Sequence, residues 1–160
     1  MKTSINFYGG DIESGDVSTA LAPTRAQVNR LEAELLELPQ VDLKTTHALS
    51  GGVYARTIFI PAGTALTGAS HKKDHLNMMQ GDITVWTDQG MKRMTGQHVI
   101  PTKAGCKRVG YAHADTSWTT ICATSLIEIE EIEADLVEEP ERLQTRNTAI
   151  GCAAVEKLGV

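Results

Sequence analysis

The chain has 160 residues, 41% hydrophobic and 22% charged, with a net charge of −5, enough for one domain with a proper core and some extra elements. No run of about 18 apolar residues occurs, so no membrane span is expected, and Met1 to Gly10 lacks the basic-then-apolar order of a secretory signal. Three cysteines (Cys106, Cys122, Cys152), odd in number, widely spaced and without a CxxC pair, argue against a disulfide framework or a zinc knuckle and for a reducing compartment.

The charge is unevenly spread. Val41 to Ser125 carries nine Lys or Arg against five Asp or Glu, a local charge of +4, which leaves −9 on the flanks. All five histidines lie in that central stretch. Because the whole chain is acidic and its basic residues form no stripe, nucleic acid is not an expected partner.

In chain order, residues 1–23 are rich in Gly, Ser, Thr and Asp and predict an extended arm. Residues 24–39 predict an amphipathic helix. Thr24 and Gln27 have the spacing of a capping box, Val28, Leu31, Leu35 and Leu38 form one apolar stripe, and Pro39 ends it.

From Val41 the period changes to two. Val41, Leu43, Thr45 and His47 alternate up to the Ser50-Gly51-Gly52 break, and Val53–Ile60 is rich in β-branched and aromatic residues. Further strands are predicted at His75–Met79, Ile83–Thr87, Met91–Thr95, His98–Pro101, Lys107–Tyr111 and Trp118–Ala123, with a tight hairpin at Asp88-Gln89-Gly90. Many short, closely spaced strands indicate an all-β barrel or sandwich over residues 41–124.

Residues 125–160 read as an acidic helical segment. Ser125 and Glu128 have capping-box spacing, Ile129, Ile132 and Leu136 continue at helical intervals, and eight acids fall between Glu128 and Glu141. A solvated helix face or an acidic partner surface would both explain them. A short helix is expected near Ala153–Leu158.

The stretch from Pro61-Ala62-Gly63-Thr64 through His71 and His75 to Gly81 resembles the first motif of the cupin superfamily, G-x5-H-x-H-x3,4-E-x6-G. Gly63 takes the first glycine and Gly81 the last, and Asp74 stands seven residues before Gly81, as the family's Glu does. Gly96, Pro101 and Gly105 are similar to the second motif, with Arg108 where its His would be and His113 five residues on. The resemblance implies a double-stranded β-helix (jelly-roll) barrel and, in many members, a divalent transition metal on His and Glu ligands. Here His71 and His75 are not spaced H-x-H, and Ala69 stands where the earlier His would be.

A narrower likeness is carried by Tyr54-Ala55-Arg56, Phe59 to Thr64, Leu66 to Ala69, His71-Lys72, Lys107 to Ala112 and Trp118 to Thr120. In these runs the chain is similar to small cupin-like proteins of tailed phages and prophages. That resemblance implies a host-cytoplasmic or virion location and other phage proteins as partners.

Chemically, a metal site needs at least three good donors. On a regular strand, His71 and His75 would share a face yet stand roughly 13 Å apart. They could meet only across a bend, for which Lys72-Lys73 is the place. A metal set of His71, His75 and His113 is one expectation. An anion or small-molecule site of His71, His75 and Arg108 is another, since arginine adds a fixed charge and a forked donor. The plainer alternative for Arg108 is rim pairing with Asp82 or Asp115. Trp86 and Trp118 read as core or interface anchors, and Cys106 and Cys122 as small core hydrophobes.

With the ligand set incomplete, the leading expectation is a non-enzymatic, oligomer-forming or virion-associated structural protein. A cavity that binds a small molecule, anion or metal comes second, and a metal-dependent oxygenase or isomerase third.

Overall fold

The structure, a computed structural model, describes residues 23–87 and 90–143. The expected arm up to residue 22, the Asp88-Gln89 turn and the helix near Ala153–Leu158 lie outside the described residues.

The capping box forms as expected. Thr24 accepts from the Gln27 backbone N–H and the Gln27 side chain accepts from that of Thr24, starting helix α1, Arg25–Leu36. Its stripe of Val28, Leu31 and Leu35 is buried against Val109. The helix stops at Leu36, three residues before Pro39.

Six strands follow: β1 Thr45–Ser50, β2 Val53–Ile60, β3 Ala65–Thr67, β4 His75–Thr87, β5 Gly90–Thr102 and β6 Val109–Ala123. They form one antiparallel sheet in the order β1-β2-β6-β4-β5, with β3 added against β6. The expected all-β architecture with flanking helices holds. It differs in that pairs of predicted short strands are fused into long ones: β4 runs on through Gly81 and β5 through Gly96. These two glycines face each other across the ladder. Ile60, Leu66, Met79, Val85, Met94 and Ala112, from β2 to β6, meet with Leu43 in one buried cluster, so the sheet curls around it.

After β6, helix α2 spans Ile129–Leu136. No side chain caps it, so the Ser125/Glu128 capping box does not form, and of the three residues at helical spacing Ile132 and Leu136 are buried while Ile129 is 40% exposed. Ile132 and Leu136 pack with Tyr54 and Cys122, closing one end of the curled sheet. Most of the acid run is solvated, but Glu133 is only 1% exposed. The chain beyond α2 returns over residues 70–72 through an isolated bridge between His71 and Val137. Among the described residues no helix is long and apolar enough to cross a membrane.

Candidate functional site

Period-two geometry decides which side chains reach the interior. On β2 these are Tyr54, Arg56 and Ile58, and opposite them on β6 stand Cys122, Thr120 and Trp118. On β4, Asn77 continues the Arg56–Thr120 row and Met79 the Ile58–Trp118 row. A polar row therefore lies directly above an apolar one. Between this wall and α2 is a cavity of about 120 Å³, far larger than the roughly 10–15 Å³ that one water needs.

His71 and His75 both line it. Residues 72–73 form the bend, so the rings meet with centroids 4.2 Å apart instead of being separated along a strand. The His75 Nδ1 donates to the Lys73 carbonyl at 3.0 Å, leaving Nε2 as the acceptor nitrogen. Burial, with the His75 ring beside it, pulls the His71 pKa down from 6.5 to about 4, and Arg56 and Arg108 push the same way. His75 is lowered too, first by burial and then by Arg108.

Arg108 lines the same cavity. One of its nitrogens donates to Thr102 Oγ1 at 2.8 Å. That hydroxyl also accepts from Asn77, whose amide oxygen takes bonds from Trp118 Nε1 at 3.0 Å and Thr120 at 2.9 Å. Trp118 can only donate, so the Asn77 amide has one orientation and the Arg108 partner is fixed. The Arg108 Nε is buried without a hydrogen-bond partner. Rim pairing does not occur, because Asp82 is taken by Arg93 and Asp115 by the Ala62 backbone N–H.

His113 is not brought to this site. It follows the fully buried Ala112, so strand alternation turns it outward, where it bonds Thr84 at 2.7 Å and meets the Tyr111 ring edge-on. Asp74, at the position resembling the family's Glu, is exposed and held by Lys103 and the Ala104 backbone N–H. Among the described residues no three His, Cys, Asp or Glu converge as a metal set. With the Glu133 carboxylate facing Arg56, the donors that remain are two imidazoles beside two guanidiniums, which do not fit a divalent transition metal, because fixed positive charge opposes a cation. Burial lifts the Cys122 thiol to about 11, which suits a core side chain and not a nucleophile.

Two cavity residues escape the sequence reading. Arg56 has its Nε buried and without a hydrogen-bond partner. Glu133 reaches in from α2, with Oε1 3.8 Å from that nitrogen.

No protein-family model and no curated protein matches the chain. Solved structures do. They include a cupin superfamily protein of Desulfitobacterium hafniense, 16% identical over 58% of this chain and 87% of that one, with a TM-score of 0.44. An ectoine synthase from P. lautus is 14% identical over 64% and 82%, at 0.44. The cupin domain of Schizosaccharomyces pombe Cnp3 is 19% identical over 54% and 68%, at 0.42. Two of these three are described as cupins. None of the three is described as a phage protein, and identities this low concern fold alone.

The lowered His71 has a consequence for stability. Above pH 6.5 the imidazole is neutral folded or unfolded and contributes nothing. Below it, the unfolded chain takes up a proton that the folded chain refuses until about pH 4. Stability therefore falls across that window, by about 2 kcal/mol at pH 5 relative to pH 8. His71→Asn should flatten the profile of thermal melts between pH 8 and 5; an unchanged slope would remove His71 as its source.

Proposed function

We propose that the protein binds a small anionic molecule in the barrel cavity, through Arg108 with His71 and His75 alongside. One observation carries this reading: among the residues that line the cavity stands a guanidinium whose Nε is buried with no hydrogen-bond partner. A donor left that way costs about 1–3 kcal/mol, which an acceptor from outside would recover. Thermal melts in sodium acetate and sodium phosphate, against chloride at equal ionic strength, should show stabilisation by at least one of the two anions. Arg108→Gln should weaken that binding tenfold or more; identical responses of both proteins to all three salts would defeat the reading.

The oligomeric or virion-associated role of a phage-type protein is a second reading. It is favoured by β1 and β5, which end the strand order as open edges among the described residues, with Val99 61% exposed on β5. A strict monomer in solution would remove this reading and leave the first untouched.

A further inference from the structure

The second guanidinium narrows what the cavity can hold. Arg56 and Arg108 both act on His71 electrostatically, so two fixed positive charges border one site. Among the described residues, Glu133 is the one acid lining it. With the imidazoles uncharged at neutral pH, the site carries an excess of one positive charge. A monoanion neutralises it. A dianion such as phosphate would leave an unbalanced negative charge in a buried place, at a cost of several kcal/mol.

The geometry also fixes what is attached to that charge. Below the row of Arg56, Thr120 and Asn77 lies the row of Ile58, Trp118 and Met79. Leu43 and Leu66 complete the wall. The Trp118 N–H is committed to Asn77, so its ring offers the cavity carbon only. A fully hydrated inorganic ion would leave these surfaces in contact with water, whereas an apolar body would cover them.

Building on the anion-binding reading of the cavity, we propose that the ligand is an organic monocarboxylate with a compact apolar body. Its carboxylate is taken by Arg108, with Arg56 supplying the second charge, and its body rests on the Ile58–Trp118 row. The planar, two-oxygen carboxylate matches the guanidinium fork.

The test is a calorimetric titration of the full chain with benzoate, isobutyrate, inorganic phosphate and benzyl alcohol. Benzoate or isobutyrate should bind one to one, at least tenfold tighter than phosphate or benzyl alcohol. Arg108→Lys keeps the charge but removes the forked donor, and should weaken the carboxylate about tenfold while leaving the fold intact by circular dichroism. Phosphate bound in preference to both acids would overturn the monocarboxylate while sparing the anion site. Benzyl alcohol bound as tightly as benzoate would overturn the role of the guanidiniums. Binding of none of the four, together with no response to acetate, would overturn both the class and the site.

Discussion

Replacing Gly81 with alanine should remove about 3 kcal/mol or more of folding free energy, combining backbone strain with overpacking. The glycine has φ +145°, and a Cβ there would stand 2.3 Å from Thr116 Oγ1, 2.7 Å from Thr116 Cα and 2.8 Å from the Asp115 carbonyl oxygen. Two of those three atoms are backbone, so no change of rotamer relieves the clash. The close approach belongs to the bulge at which the β4–β6 register shifts on either side of Asp82. There the Thr116 hydroxyl accepts from the Asp82 N–H at 3.2 Å and donates to the Ala114 carbonyl at 2.8 Å. Gly96→Ala is the control. It has a positive φ of +80° but nothing within 4 Å of the new Cβ, so only strain applies, at about 1 kcal/mol. Urea unfolding of both variants decides the matter: equal losses would show that the close approach at Gly81 is not the cause. A slipped β4 would also pull Asn77 away from Trp118 and Thr102, so a partly folded Gly81→Ala protein should bind a carboxylate poorly.

The same glycine shows how far local pattern carries. Gly81 and Gly96 are read in the sequence as breaks between short strands, because glycine usually punctuates. In the fold they pair across one uninterrupted ladder, since a bulge bends a strand without ending it. α1 was legible down to its first hydrogen bonds, for capping depends on residues three apart. The histidine pair was half legible. The distance between His71 and His75 depended on whether residues 71–75 formed a strand or a bend, and their spacing alone could not decide that.

Arg56 could have been found. It shares the parity of Tyr54, Ile58 and Ile60, an inward face in any half-buried strand. The signal was lost because a charged residue is assumed to face water. Glu133 gave less warning: among eight acids nothing local distinguishes the one that packs inward. Only the seating of α2 over Tyr54 and Cys122 selects it. His113 fails by the same rule of parity, since its own is that of the outer face.

Removing the Lys107 ammonium should cost about 3 kcal/mol, the second large effect expected of this fold. Lys107 bonds Glu32 of α1, and their side chains are only 3% and 5% exposed. Lys107→Met leaves the Glu32 carboxylate buried with Arg142 as its remaining cation, 3.3 Å away. A surface pair would cost under about 1 kcal/mol, so the size of the loss reports the burial directly. In the double variant Glu32→Leu/Lys107→Met no charge is left stranded between α1 and the barrel, and most of the stability should return. A double variant as unstable as Lys107→Met alone would mean that shape, and not the stranded charge, sets the cost. The pair also bears on the site. Lys107 precedes Arg108, and α1 is otherwise seated by Val28, Leu31 and Leu35 against Val109, the residue that follows it. Both neighbours of Arg108 are thus tied to α1, so hydrogen exchange in α1 and anion affinity should worsen together in Lys107→Met and recover together in the double variant.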